Sequence, residues 1–267
     1  MTIGLVGCGT IGSRLAQEIQ TRFKGKARLI GIYDHHLEAS GRLARRFRPT
    51  LPILSPKQLV SRCQLLVEAA SIQAVGEFLP QVIQKRKSMM VMSTGGLLKY
   101  EQLLRKALAC SIPIYLPSGA IGGLDGIKAG SMGILRSVTL TTRKPPKALL
   151  GAPGLRRGGI RLSNLRSPRL VFEGPAFKAI AAFPQNVNVA ATLALAGLGP
   201  KRTRVRLFAD PTIQENIHEV QVVGSFGRLT ARTENRPSRE NPKTSELAVL
   251  SAIATLKQIL QSVKVGT

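Results

Sequence analysis

The sequence predicts an α/β protein in two parts: an N-terminal doubly wound parallel sheet, then an α+β domain with a mostly antiparallel sheet. Three observations carry that prediction. Short, mostly apolar strands alternate with helical segments over residues 1–120, the pattern of parallel strands joined by helical crossovers. Near Ile121 the pattern changes, and from Ser137 onward the strands alternate apolar and polar positions with a period of two. A last segment, after Pro242, carries an apolar stripe at helical spacing.

Taken in order, Thr2 to Val6 reads as a buried strand, and Ser13 to Phe23 as a helix through Leu15, Ile19 and Phe23. Ala27 to Tyr33 is a second strand, ending at Asp34. Gln64 to Ala69 is a third, followed by a helix from Gln73 to Lys85. Ser88 to Ser93 is a fourth strand running into the turn Thr94-Gly95-Gly96. A helix over Tyr100 to Ala109 and a short strand over Pro113 to Leu116 complete the first half. In the second half, strands over Val138 to Thr142, Leu170 to Phe172, Arg204 to Phe208, Ile217 to Val223 and Leu229 to Thr233 are interrupted by helices over Ala176 to Ala182 and Val187 to Leu198. Ala148 to Ser167, rich in Gly, Pro, Leu and Arg, reads as a loop. Thr244 or Ser245 is placed to cap a final helix with its stripe at Val249, Ile253, Leu256 and Leu260.

Composition bounds the function. At 267 residues with 43% hydrophobic content, the chain can bury a full core. No apolar run is long enough to span a bilayer, and Thr2 to Val6 is too short for a secretory signal, so no membrane partner is expected. Cys8, Cys63 and Cys110 form neither a CxxC nor a metal-ligand spacing. That scatter predicts reduced thiols in a cytoplasmic protein and no metal site. The net charge is +25, and between Asp125 and Glu173 there are ten basic residues and no acidic one. Such a field attracts anions. Nucleic-acid modules interleave aromatics with their basic residues, whereas this stretch offers only Phe172, so the charge is read as steering small anions rather than binding nucleic acid.

The most local signal is Gly7-Cys8-Gly9-Thr10-Ile11-Gly12, a GxGxxG turn that directly follows an apolar strand and opens a helix. Gly7 allows the tight turn, Gly9 lets backbone approach a pyrophosphate, and Gly12 lets helix and strand pack closely. Thr10 and Ile11, at the helix N-terminus, supply N–H groups and a partial positive charge for phosphates. Asp34 ends the next strand, 22 positions after Gly12, where a carboxylate accepts hydrogen bonds from the adenosine ribose. Together these residues predict a Rossmann domain that binds NAD. His35 and His36 follow Asp34, and a protonated imidazole there would soften rejection of a 2′-phosphate, so NADP stays open as well. Ala69 and Ser71 stand at the carboxyl end of the third strand, where ligands bind in open α/β sheets, and are placed against the cofactor.

His218 is the only histidine beyond His36. In Asn216-Ile217-His218-Glu219-Val220-Gln221-Val222-Val223 it shares a face with Val220 and Val222, so the imidazole points to the apolar, inward side. Two readings are open at this point: a core histidine with a satisfied hydrogen bond, or the acid/base group of a hydride-transfer reaction.

With these residues in view, the chain resembles the L-aspartate dehydrogenase family. Four blocks carry the resemblance: Pro117-Ser118-Gly119-Ala120-Ile121-Gly122-Gly123-Leu124-Asp125; Phe183-Pro184-Gln185-Asn186-Val187-Asn188-Val189-Ala190; Ala209-Asp210-Pro211 through Asn216-Ile217-His218; and Asn235, Pro237-Ser238 through Asn241-Pro242-Lys243-Thr244-Ser245. The resemblance implies a dinucleotide-binding domain over residues 1–120 and a substrate and dimerisation domain over 121–242. It also implies a C-terminal helix, 243–263, that packs back on the first domain. It implies a homodimer that oxidatively deaminates L-aspartate to iminoaspartate, then oxaloacetate and ammonia. Iminoaspartate is what quinolinate synthesis consumes, so a role feeding NAD biosynthesis is implied too. His218 falls at the family's catalytic histidine, and Ala120 and Asn188 at cofactor-contacting positions, although the sequence permits either Asn186 or Asn188; Asn186 is otherwise assigned to the substrate.

An amino dicarboxylate needs donors for two carboxylates. The turn at Ser118 and Gly119 offers closely spaced backbone N–H groups, and Lys243 with Thr244 stands at a helix N-terminus. Two other readings compete. One is a related two-domain reductase of the dihydrodipicolinate reductase or homoserine dehydrogenase type; the other, prompted by the charge, is an NAD-sensing nucleic-acid-binding protein. A glyceraldehyde-phosphate-type dehydrogenase would need a cysteine nucleophile at the nicotinamide, and none of the three cysteines is well placed for that.

Overall fold

The computed structural model describes residues 1–183, 188–238, 241 and 244–266. The chain forms two compact units, one of residues 1–117 with 249–264, the other of 118–248 with 265–267.

In the first unit, five strands run two to six residues, and the central ones are almost wholly buried and so show no alternation. They are β1 (Thr2–Val6), β2 (Arg28–Tyr33), β3 (Leu65–Glu68), β4 (Ser88–Val91) and β5 (Ile114–Tyr115). All pair in parallel, in the order β2-β1-β3-β4-β5. The connections are helices α1 (Thr10–Gln20), α2 (Leu37–Ala44), α3 (Pro56–Arg62), α4 (Ile72–Gln84), α5 (Gly95–Lys99) and α6 (Glu101–Ala109). The strand order reverses beside β1, so the crevice that a doubly wound sheet uses for ligands opens at the carboxyl end of β1, where Gly7 to Gly12 lies.

The expected parallel sheet is present, with several local corrections. The first helix starts at Thr10, immediately after the second glycine of the turn, rather than at Ser13. Two helices, α2 and α3, fill the span between the second and third strands, to which the sequence periodicity assigns no element. Helix α3 is only seven residues and buries just Leu59 and Val60, too little stripe to register as periodicity. Its start was nonetheless written locally, in a Ser55–Gln58 capping box with Pro56 in the first turn. Gly95-Gly96 opens a short helix instead of a turn, since Gly96 packs against Val75 of α4 where a side chain would collide.

The second unit begins with α7 (Leu124–Gly130), then β6 (Leu135–Lys144), a 3₁₀ turn (Pro146–Ala148) and α8 (Pro153–Arg157). It continues with β7 (Arg169–Pro175), α9 (Ala176–Ala182), α10 (Asn188–Ala196), α11 (Gly199–Arg202), β8 (Arg204–Ala209), β9 (Asn216–Gly224) and β10 (Gly227–Asn235). The sheet order is β10-β9-β6-β8-β7. All its pairs are antiparallel except β6 with β8, which makes the sheet mixed and mostly antiparallel. Val138 and Leu140 of β6, Val205 of β8 and Val220 and Val222 of β9 face a core closed by Ile127 of α7, Ala176 and Ala179 of α9, and Leu193 of α10.

The segment read as a loop, Ala148 to Ser167, begins at the end of the 3₁₀ turn and carries the short helix α8. Leu149, Leu155 and Leu162 are buried with Val171, Phe183 and Leu207 in a small core of their own. Alternation with arginines hid those leucines from a periodicity argument. The last helix, α12 (Glu246–Leu260), begins three residues later than residue 243, because Ser245 pairs with Pro237 in an isolated bridge and the helix can only start beyond it. Val249, Ala252, Ile253 and Leu256 join the core of the first unit with Ile3, Leu5 and Leu15.

Leu256 is fully buried there. Leu256→Ala should destabilise the protein by about 2–5 kcal/mol, the range for a leucine deleted from a packed core. Urea unfolding with an unchanged m-value is the measurement, and a loss below about 0.5 kcal/mol would contradict the packing described.

Candidate active site

The dinucleotide half of the site is built from backbone. Gly7 has φ +96°, and a Cβ there would strike the Ala69 carbonyl; a Cβ on Gly12 would strike the Gly7 carbonyl. Both positions therefore exclude side chains for steric reasons. Gly9 is different: it is exposed, and a Cβ would meet nothing within 4 Å, so its bareness leaves open space over the turn. Gly9 is also the N-cap of α1, with no side-chain cap and no acidic residue in the first turn, so the helix-end N–H groups near Thr10 and Ile11 stay available to an anion. This geometry fits a pyrophosphate.

Asp34 is half-buried beside that turn. One carboxylate oxygen accepts from the Cys8 N–H at 2.7 Å and the other from the His36 N–H at 2.8 Å, so the residue braces the glycine turn as well as facing the position of a ribose. His35 stacks edge-on against Tyr33 and contacts Glu77 through Nε2 at 3.1 Å. Ala69 is placed by its N–H bond to Val6, and its carbonyl lies against Gly7. The Ser71 hydroxyl caps α4 by accepting from the Ala74 N–H at 3.2 Å.

Glu68, which in sequence is read only as part of the strand-end segment Glu68-Ala69-Ala70-Ser71, ties this mouth together. Glu68 ends β3, fully buried, and accepts from the Ala70 N–H at 2.8 Å, the Ser93 N–H at 3.0 Å and the Ser93 hydroxyl at 2.9 Å. It joins the carboxyl ends of two adjacent strands. Burial pushes its carboxyl above the usual range, and the three donors partly oppose that. Its strand position was visible in the sequence; its partners, 25 positions away, were not. Two of the thiols are not activated: burial, reinforced by Asp34, pushes Cys8 up to about 12, and burial pushes Cys63 up to about 11.

The second unit holds the acid/base candidate. In β6 and β9, Thr142 pairs with His218, and in β10 Thr233 pairs with the same histidine, so the three side chains share one face. That face is apolar along Val138, Leu140, Val220 and Val222 and turns polar at His218. His218 is 4% exposed, and its Nδ1 lies 2.9 Å from the Thr142 hydroxyl. Burial, and then the nearby positive charge of Lys144, lower its pKa to about 3, so the imidazole is neutral at physiological pH. Lys144 is itself buried, which lowers it to about 8.

The turn carrying Ser118, Gly119 and Ala120 is held to this row. The Ala120 carbonyl accepts from the Thr233 hydroxyl at 2.8 Å and from Asn235 Nδ2 at 3.1 Å. Gly119, at φ +67°, lies beside Val189 near the start of α10, the helix that opens with Asn188. Asn188 is exposed at that helix start. Thr244 precedes α12, with its N–H bonded to the Asn241 carbonyl. Asn186 and Lys243 lie outside the described residues. Asp210 was quoted only as part of a sequence block, yet it is 3% exposed and bonds Thr212 and Arg143; these interactions outweigh the opposing effect of burial and hold its carboxyl below the usual range.

Comparison with known proteins gives a consistent picture. Residues 125–259 match the family described as aspartate dehydrogenase, C-terminal, and residues 7–117 match the homoserine dehydrogenase NAD-binding domain. The chain is 45% identical over 276 residues to an L-aspartate dehydrogenase of Methanosarcina barkeri, with 100% of both chains covered. It is 46% identical over 270 residues to that of Methanocella arvoryzae, with 99% of each covered. A crystal structure of aspartate dehydrogenase from Thermotoga maritima superposes with a TM-score of 0.77 at 28% identity, covering 100% of this chain and 99% of that one. A homoserine dehydrogenase from Thiobacillus denitrificans, at 13% identity and a TM-score of 0.58, shares the fold.

The burial of His218 has a consequence for stability. Its folded value near 3 lies below the ordinary 6.5, so between these values the unfolded chain holds a proton at this position that the folded chain does not. Stability from this group therefore falls as pH falls through that window, by up to about 1.4 kcal/mol per pH unit. In urea melts at pH 6.5, 5.5 and 4.5, His218→Asn should gain stability relative to wild type as pH falls. A difference constant with pH would show that the histidine titrates alike in both states.

Proposed function

The chain belongs to the L-aspartate dehydrogenase family, and from that premise we propose that it oxidises L-aspartate to iminoaspartate with NAD, releasing oxaloacetate and ammonia on hydrolysis. The observation that carries the reading is the buried, neutral His218 on the core face of the second sheet, hydrogen-bonded to Thr142 and adjoining the Ala120 turn.

In this reading the first unit holds the dinucleotide and the second builds the substrate site. Gly7, Gly9, Thr10, Ile11 and Gly12 receive the pyrophosphate, Asp34 the ribose, and Ala69, Ser71, Ala120 and Asn188 flank the rest of the cofactor. NAD, when bound, accepts the hydride from C2 of the substrate. A carboxylate at position 34 repels a 2′-phosphate, which favours NAD over NADP.

His218 handles protons. The substrate amine must lose a proton before hydride departure becomes easy, and water must lose one to attack the imine carbon. In the tautomer whose Nδ1–H donates to the Thr142 hydroxyl, the Nε2 lone pair is left to take either proton. Bound carboxylates offset the field of Lys144 and strengthen the imidazole as a base. Ser118 and Gly119 offer backbone donors to one carboxylate, with Asn186, Lys243 and Thr244 assigned to the rest of the substrate. The product chemistry suits a supply of iminoaspartate to pyridine-nucleotide synthesis.

No described helix is long and apolar enough to cross a membrane. Three free cysteines support a reducing, cytoplasmic setting. Met132, Ile134 and Phe226, all exposed about the Ile134–Ser225 contact, support a homodimer through the second unit.

Initial rates of NAD reduction with L-aspartate, L-glutamate, L-homoserine and L-malate test the reading: turnover should be confined to L-aspartate, and preference for L-homoserine would replace it. His218→Ala should lower kcat by about 10²–10⁴-fold with dinucleotide affinity near normal. Gly12→Val should instead abolish dinucleotide binding, followed by nicotinamide fluorescence, because its side chain would enter the Gly7 carbonyl.

A further inference from the structure

We propose that the fold of residues 150–163 holds a second binding site, a cavity for a small organic anion with an oxyanion head on an apolar body. None of the residues assigned to the dinucleotide, to L-aspartate or to proton transfer lines it, so the site does not depend on the reaction.

The cavity measures about 540 Å³, within the range of small-molecule pockets, and lies wholly in the second unit. Its buried lining residues are Leu155 and Leu162, 6% and 9% exposed, which share a small core with Val171, Phe183 and Leu207. That core holds the segment in a fixed shape. The lining stays apolar at Leu150, Ala152 and Ile160, and Leu150 is 69% exposed. An exposed leucine in a concave wall leaves apolar surface in water that the body of a ligand would cover. Gly151 and Gly159, at φ +80° and +60°, have no atom within 4 Å of a Cβ position, so the lining is open beside both.

The polar groups in the lining are all donors to an anion or able to act as such. Arg156 and Arg161 are exposed, the segment contains no carboxylate, and neither guanidinium forms an ion pair among the described residues. Arg156 donates from Nη2 to the Gly151 carbonyl at 3.0 Å, which ties its guanidinium to the cavity wall and uses one of five N–H groups. Arg161 is engaged only through its backbone carbonyl, which accepts from Arg169 Nη1 at 3.2 Å. A second, independent observation concerns the backbone. Leu162 is buried, yet its N–H makes no hydrogen bond among the described residues, and neither do those of Arg161 and Ser163 on either side. Buried N–H groups are nearly always paired, so these three successive donors call for an acceptor.

Guanidinium forks match the planar oxygens of carboxylate and phosphate, and backbone N–H groups add to that match. The leucines and Ile160 favour an anion that carries carbon over a bare ion. No aromatic ring lines the cavity, so it offers no platform for the bases of a nucleic-acid strand.

The test titrates the full-length protein with 1-anilinonaphthalene-8-sulfonate, an aromatic sulfonate that fluoresces in apolar surroundings, with NAD saturating to occupy the dinucleotide cleft. Wild type should give saturable emission that phenyl phosphate displaces, with inorganic phosphate at least about tenfold less effective. Arg156→Gln/Arg161→Gln should weaken probe binding about 10–100-fold, as expected for loss of a charge-assisted hydrogen bond, and its exposed positions leave the fold intact. Unchanged emission in the double variant would overturn the proposal. Loss of L-aspartate turnover in that variant would also overturn it, by placing the arginines in the reaction. Cosedimentation with phosphatidylglycerol vesicles that the double variant abolishes, with no displacement of the probe by phenyl phosphate, would assign the arginines to a lipid headgroup and overturn the cavity. Displaceable binding in a protein that does not oxidise L-aspartate would refute the reaction and leave this site standing.

Discussion

The register of β9 between β6 and β10 is the constraint on which the candidate site depends. Side chains in a strand alternate faces, so a slip of one residue would turn Val220 and Val222 to solvent and His218 with them. Two antiparallel ladders hold the strand against such a slip, and the valines supply the energy that makes the correct register the only one to bury an apolar face. The histidine needs no dedicated scaffold: it is carried inward by the same alternation that builds the core. Its own row, with Thr142 and Thr233, and the next, with Lys144 and Asn235, are polar where the face meets the Ala120 turn.

Burial, rather than total charge, governs the chemistry of that row. A chain of +25 has a positive field over much of its surface, but exposed charges are screened over roughly 10 Å in salt. Inside, screening is weak, and one lysine matters more than many arginines outside. Lys144 and burial together hold His218 neutral. The basic stretch around residues 147–169 has a different character, since its arginines ride on a small leucine core that folds the segment onto β7 and β8.

The dinucleotide half reaches its geometry by a different route. It depends on the absence of side chains at Gly7 and Gly12 and on carboxylates that brace backbone. Asp34 ties the glycine turn to the end of β2, and Glu68 ties the ends of β3 and β4. Each buried or half-buried carboxylate is matched by N–H donors, as a low-dielectric setting requires.

Much of this was legible in the sequence. The glycine spacing after an apolar strand, the acidic end of the second strand, the period-two strands and the stripe of α12 are local patterns, and local patterns survive in one dimension. The short helices were not, because seven residues around Leu59 and Val60, or five at Gly95, bury too little to write a period. Nor were the partners of Glu68, or the burial of Lys144, which in sequence is one of ten cations in a stretch without acidic residues. The sequence by itself determined the two folding patterns, the family and the inward direction of His218, since these follow from spacing along the chain. Only the tertiary structure decided that residues 142, 218 and 233 form one row, that Asn235 lies beside Ala120, and that Lys144 is buried. Charge and hydrogen bonding act through space, between strands that the chain separates by scores of residues.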